Sequence, residues 1–383
     1  IRSVISGIPI NYFISVEMKN LLFLIVTVFY ICSCTSKPDG YEVTIDLKNA
    51  KNEQIYVSER IPHPTTWYTD TIQLKDGKAV FKGKVTDPHW VAFVVVKEDG
   101  ELQGSFGMFL DNSQVQVKGD YNNLKQVEIT GSKTNDEYQR IEKNGAEVFR
   151  NFGRIRYERS KAFKDDRARY DSLTPLYQEA YNKLFDYIVS LPGYATSQVA
   201  PHYVWEYFAE DLDKMGKALA GFDASLNSNV FVAECRDNWE KEKKVQPGQP
   251  AYDFTLSDID GKVYKLSDFR GKYVLIEFSA SWCGWCKLEI PYLKTVYENT
   301  KGKNFVMFTV NMDEDREKWE KDVKEYNLPW PVVSDLKAYS GPVAQNYHVK
   351  GIPMIYLIDP EGKIMARDLR REPMIEYINK LFK

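Results

Sequence analysis

The sequence predicts three successive regimes: an antiparallel β domain, a helical region, and an α/β domain whose central sheet carries helices on both faces. Three observations lead there. Apolar residues alternate at period two from residue 41 to about 131 and take a helical spacing over 134–244. From residue 245 to the end, strand-like and helix-like runs take turns. A chain of 383 residues exceeds one ordinary domain, and 43% hydrophobic with 27% charged residues are globular values. The formal charge of −3 leaves no basic footprint, which argues against a nucleic-acid partner.

Residues 1–33 read as an upstream extension, Ile1–Glu17, followed by a signal peptide of lipoprotein type. Met18-Lys19-Asn20 precedes the apolar run Leu21–Ile31, followed by Cys32, Ser33 and Cys34. A positive start, a short apolar core and small residues after it fit an export signal, and the core is too short to span a bilayer. Ile31-Cys32-Ser33-Cys34 resembles a bacterial lipobox. That resemblance implies that Cys34 is the lipid-bearing first residue of the mature protein, anchored to a membrane of the cell envelope and facing the periplasm. An uncleaved anchor or an ordinary secretory signal is the alternative.

The β domain spans 41–131. Tyr41, Val43, Ile45 and Leu47 alternate, as do Val115 with Val117 and Val127 with Ile129, while Val91–Val96 is a continuous apolar run. Asp76-Gly77, Asp99-Gly100 and Gly119-Asp120 supply turns, and a sandwich is expected. In the helical region, 134–244, Thr174-Pro175 reads as a helix start. Leu176, Ala180, Tyr181, Leu184, Phe185 and Ile188 then form one stripe. The aromatic group Tyr203, Trp205, Tyr207 and Phe208 reads as packing. Cys235 is either a small buried apolar residue or a third redox thiol. Glu240–Lys244 runs into Val245-Gln-Pro-Gly-Gln-Pro250, read as a linker.

Beyond it, Asp260-Gly261 marks a hairpin and Tyr273–Ser279 a buried strand. Cys283 and Cys286 then open a helix running to about Asn299. A strand over Phe305–Val310, a charged helix over Asp315–Tyr326, a strand over Met354–Ile358 and a last helix from about Pro373 to Phe382 follow. Of five cysteines, Cys32 leaves with the signal, Cys34 takes lipid and Cys235 stands alone, so only Cys283 and Cys286 form a local pair. Zinc needs about four ligands. No second cysteine pair exists, and His63, His89, His202 and His348 are scattered, so no metal site is expected.

From about Val245 onward the chain resembles the thioredoxin-fold, TlpA/ResA-like branch of membrane-anchored thiol-disulfide oxidoreductases, relatives of the AhpC/TSA redoxins. The resemblance rests on Trp282-Cys-Gly-Trp-Cys-Lys287, on Pro291 five residues beyond the second cysteine, and on Gly351-Ile-Pro353. The β region ahead is similar to a domain of unknown function that precedes such domains in bacterial lipoproteins. The resemblance implies a thioredoxin fold and a redox-active Cys283–Cys286 disulfide with no other cofactor. It also implies disulfide or dithiol substrates among envelope proteins, action as a reductant, and an electron donor in the membrane. Cys283 at a helix N-terminus meets the positive end of the macrodipole and is the expected exposed nucleophile, with Cys286 one turn in as the buried resolving thiol.

Glu277, inside an apolar strand, is the expected buried proton handler. Glu289 is either a second acid, matching the one in ResA-like proteins, or a solvated helix residue. Pro353, in the loop where the family has a cis-proline, leaves the Ile352 backbone to pair with an extended substrate. Trp282 and Trp285 flank the dithiol as substrate-binding surface. Gly284-Trp285 departs from the family's x-Pro dipeptide, a change expected to shift potential and partner choice.

Two rivals stand beside this reading. The segments around Phe254 and Leu266 also resemble the opening of a peroxiredoxin, but Ile276–Trp282 lacks the P-x-x-x-T-x-x-C pattern of a peroxidatic site. Alternatively, the chain is a lipid-tethered binding module whose front region recruits a partner.

Overall fold

The computed structural model describes residues 39–60 and 70–382. The signal-like segment with Cys34 lies outside them. Among the described residues no helix is long and apolar enough to cross a membrane. The chain divides into two compact units, one reaching Tyr203 and including Asp223–Phe231, the other comprising Val204–Phe222 and everything from Val232. The divisions fall inside the helices Ala200–Phe208 and Val230–Lys244 rather than at the compositional boundaries near residues 131 and 245.

The first unit holds two four-stranded sheets. One contains β1 (Tyr41–Lys48), β4 (Lys78–Gly83), β7 (Gln114–Asp120) and β8 (Glu128–Thr130) in the order β4-β1-β7-β8. The other contains β2 (Gln54–Arg60), β3 (Asp70–Gln73), β5 (His89–Val96) and β6 (Leu102–Leu110) in the order β3-β2-β5-β6. Alternation buries Val43, Ile45 and Leu47 of β1 against Ile55, Val57, Val91 and Phe93 of the second sheet in one core, so the pair forms a sandwich. Pairing is antiparallel except between β1 and β7, which run parallel. Period two is the same in both arrangements, so the pattern could not show this.

Helices α1 (Lys133–Asn144), α2 (Ala146–Asp165), α3 (Arg167–Val189), α4 (Ala200–Phe208), α5 (Leu212–Ala220) and α6 (Val230–Lys244) follow along the chain. Thr174-Pro175 is not a helix start: Asp166 caps α3, accepting from the Arg169 amide, and Pro175 sits within the helix. The Thr174 hydroxyl bonds back to the Tyr170 carbonyl instead. Ala180, Leu184, Phe185 and Ile188 are buried as the stripe requires, together with Leu173, whereas Leu176 at the stripe's margin is 49% exposed.

The second unit is built on a five-stranded sheet, order β13-β12-β11-β14-β15. Its strands are β11 (Tyr273–Ser279), β12 (Phe305–Asn311), β13 (Val332–Val333), β14 (Met354–Ile358) and β15 (Ile364–Arg367). β11, β12 and β13 are parallel, whereas β14 is antiparallel to β11 and to β15. The hairpin of β9 (Thr255–Ser257) and β10 (Val263–Lys265) lies ahead of them. Central β11 is buried throughout its interior, which is why it reads as an unbroken apolar run with a single acid in it. Leu275, Met307, Ile355 and Leu357 share one core with Leu293, Val296, Met374 and Ile378. Those last four come from the helices Gly284–Thr300 and Arg371–Lys380. Val274, Ile276, Phe278, Phe308 and Tyr356 face a second core with Phe254, Tyr347, Cys283 and Cys286.

The stretch read as a linker is fixed in place. Val245 is buried in the second core. The Gly248 amide donates to the Ile364 carbonyl, the Ile364 amide to the Gln249 carbonyl and the Ala251 amide to the Gly362 carbonyl, at 2.7–2.9 Å. The proline- and glycine-rich stretch follows the end of a helix, but its amides find partners on β15 and on the turn before it.

Candidate active site

The sheet places the dithiol at the carboxyl end of β11. Past Ser279 the chain turns under a small buried network: Asp313 accepts from the Ser281 amide (3.0 Å), the Ser281 hydroxyl (2.8 Å) and the Asn311 side-chain amide (2.9 Å). This holds the turn that starts the next helix, here α7 (Gly284–Thr300) with Cys283 as its N-cap. The Cys286 amide donates to Cys283 Sγ at 3.1 Å, so a helix-end amide that would lack a partner points at this sulfur. The same amide and the helix dipole favour a thiolate at Cys283 once the bond is reduced.

Cys283 and Cys286 are joined as a disulfide. Cys286 is 1% exposed and Cys283 5%, so both are nearly buried and Cys283 is the more accessible residue of the two. The exposure expected at the nucleophile lies instead in its neighbours: Trp282 is 58% and Trp285 53% exposed. A Cβ added to Gly284 would meet nothing within 4 Å, so the surface between the tryptophans is open to an approaching chain. The Ile352–Pro353 bond is cis. Ile352 packs against the core that contains both cysteines, and it lies outside the β14 ladder, whose pairing with β11 begins at Met354.

The buried stripe of α7 is Cys286, Glu289, Leu293, Val296 and Thr300. Glu289 is therefore not a solvated helix residue. Its carboxylate accepts from the Arg371 backbone amide at 3.1 Å and pairs with the Arg371 guanidinium at 3.4 Å. Glu277 is buried on β11, on the side of the strand that carries Leu275 and faces α7. Burial pushes its carboxyl up to about 7, the Thr309 hydroxyl bonded to it at 2.7 Å offsets part of that rise, and the Glu289 charge adds to it. A carboxyl poised there exchanges a proton readily at neutral pH.

Two further titratable residues, His348 and Cys235, take no part in the dithiol site. His348 hydrogen-bonds Asn238 (2.8 Å), and burial first and Lys350 second depress it to about 4, so it is neutral at pH 7. Cys235 is a buried free thiol pushed up to about 12 by burial, which makes it an inert core residue rather than a third redox thiol. Sequence reasoning missed Thr309, Trp330, Asp313 and Arg371. Thr309 alone had a visible signal, as one polar residue inside the apolar run Phe305–Val310.

A parallel-centred sheet with a capped dithiol helix, a cis-proline loop and a buried acid on the preceding strand defines a thioredoxin-fold redox protein. Residues 247–367 match the model of the AhpC/TSA family, and residues 41–138 match a domain of unknown function, DUF4369. The thiol-disulfide oxidoreductase ResA of Bacillus cereus is 32% identical over 146 residues, which cover 37% of this chain and 83% of that relative. ResA of Bacillus subtilis is 34% identical over 124 residues, covering 32% of this chain and 68% of the relative. A crystal structure of the thioredoxin domain of a thiol-disulfide oxidoreductase from Bacteroides vulgatus shares 36% identity, covers 36% of this chain and 99% of its own, and has a TM-score of 0.35. The chain belongs to the ResA family of thiol-disulfide oxidoreductases.

Proposed function

We propose that this chain is a lipid-tethered thiol-disulfide oxidoreductase of the bacterial envelope that reduces disulfides in exported proteins. One observation carries the reading: a disulfide whose outer sulfur caps a helix, with a buried acid near neutrality on the strand behind it. In the reduced protein the Cys283 thiolate attacks a substrate disulfide, and the first substrate sulfur leaves as a thiolate. Cys286 gives its proton to Glu277 and attacks Cys283 Sγ, which releases the second substrate thiolate and closes the Cys283–Cys286 bond. Two electrons pass to the substrate, and two protons end on its thiols. The reaction draws on the dithiol alone. A membrane-borne dithiol donor restores it.

The reducing direction is supported by the family resemblance, and the tether by the Leu21–Ile31 run ahead of Cys34. The exposed pair Trp282 and Trp285 gives the site an apolar rim suited to unfolded or extended protein segments. Cys286→Ser leaves the mixed disulfide on Cys283 unresolved, so this variant is expected to trap envelope proteins, and the trap is expected to vanish when Cys283 is also replaced. Adding Trp285→Ala to the trap should shrink the trapped set, while Trp285→Ala with both cysteines intact should still reduce a small aromatic disulfide. A couple with a potential near that of DsbA, about −120 mV, rather than near thioredoxin's, about −270 mV, would overturn the reducing direction. Hydroperoxide consumption faster than disulfide reduction would favour a peroxidase.

A further inference from the structure

Three buried side chains form a chain of hydrogen bonds across neighbouring strands of the five-stranded sheet. Strand register places Glu277 of β11 opposite Thr309 of β12. Thr309 pairs in turn with Val332 of β13, and its amide donates to the Pro331 carbonyl, which brings the preceding Trp330 alongside. Trp330 Nε1–H donates to Thr309 Oγ1 at 3.0 Å, and Thr309 Oγ1–H donates to Glu277 Oε2 at 2.7 Å. All three residues are buried, and Tyr297 packs on the Trp330 ring at 5.7 Å.

The direction of this chain is set by its outer end. An indole nitrogen only donates, so Thr309 Oγ1 must accept there, and its single hydrogen is left to point at Glu277. A proton on Oε2 would force that hydroxyl to turn and accept, stranding its hydrogen in a buried place. Protonation on Oε1 keeps every bond. Glu277 Oε1 is buried with no hydrogen-bond partner among the described residues. It is therefore the oxygen free to take up and return a proton.

We propose that Thr309 and Trp330 are positioning residues that confine the exchangeable proton of Glu277 to Oε1. The proposal rests on the redox reading of the site for its purpose, since the proton held there is the one Cys286 gives up when its sulfur attacks Cys283 and the substrate thiolate leaves. The other charged groups acting on Glu277 are Glu289 of α7 and Asp322 of the helix Arg316–Tyr326, and both raise its carboxyl. Glu289 is held differently, on the Arg371 guanidinium and amide, so the two acids are not interchangeable.

Infrared titration of the full oxidised chain tests this, with the protonated-carboxyl band of Glu277 identified by its loss in Glu277→Gln. Thr309→Val removes the donor to the carboxylate and is expected to move the titration midpoint upward by about one pH unit. Trp330→Phe keeps the ring but frees the hydroxyl to accept, so its midpoint should also rise, by less. Thr309→Ser should restore the wild-type value, which a purely volumetric role for Thr309 would not allow. The pH profile of resolution by Cys286 should shift with the midpoint, while cleavage by Cys283 does not. If Thr309→Val does not fold, the Trp330→Phe and Thr309→Ser comparison carries the test. A midpoint unmoved in Trp330→Phe, or moved equally in Thr309→Ser, overturns the proposal. If the midpoints move as stated but the wild-type chain exchanges no disulfide, the relay stands and the redox reading falls.

Discussion

Glu277 keeps a proton in the folded chain that it would surrender unfolded, because its carboxyl is raised from 4.5 to about 7 by burial. The sign of the consequence follows from proton counting. Between these values the native state binds more protons at Glu277 than the unfolded state, so the contribution of Glu277 to stability is fullest below pH 4.5 and is lost as pH rises toward 7. The loss is about 3 kcal/mol in all. Glu277→Gln lacks this dependence, so its stability relative to wild type should climb across that window and then level off. Urea melts at a series of pH values measure it, and a difference flat with pH would sink the assignment. That Glu277 is buried was readable from Val274-Leu-Ile-Glu-Phe278 alone. That Thr309 meets it was not, because the two residues are brought together by parallel strand register.

At the scale of an element, helix Val230–Lys244 shows how a local reading goes astray. Its end looks like the start of a tether, charged and then rich in proline and glycine. Yet in its last turn Glu242 accepts from Arg367 of β15 at 2.6 Å, with His348 at 3.4 Å and Lys350 at 3.9 Å from the same carboxylate. His348 is neutral at pH 7, so Arg367 supplies the strong charge pair. Both partners of that pair are largely buried. Glu242→Ala leaves the Arg367 guanidinium without its anion and is expected to cost about 2 kcal/mol, read as a lowered denaturation midpoint. A change within about 0.5 kcal/mol would mean that the segment after the helix is held by its β15 backbone bonds alone. Composition shows where a helix stops. It does not show what the freed amides bond to next. Pro175 repeats the lesson: the Thr-Pro pair has the chemistry of a helix start, but Asp166 had already supplied one.

At the scale of the whole molecule, the described residues form two compact units. The proposed tether predicts that Cys34→Ala moves the protein from the membrane fraction to the soluble envelope fraction without changing its reduction rate in vitro; retention on the membrane would refute lipid attachment at Cys34. Several features were set by the sequence alone. Period-two alternation marks the β region, because one face of each strand must be buried. The alternation of strand and helix around Cys283 and Cys286 marks the α/β unit, because helices must cover both faces of a buried sheet. The two cysteines, the acid before them and Gly351-Ile-Pro353 mark the chemistry, since each is a local pattern. Tertiary structure alone decided the parallel pairing of β1 with β7, the Arg371 partner of Glu289, the hydrogen bonds behind Glu277 and the near burial of Cys283 between two exposed tryptophans. These are contacts between residues far apart in the chain, set by strand register and by which helix face meets the sheet, and spacing along one segment carries no record of either.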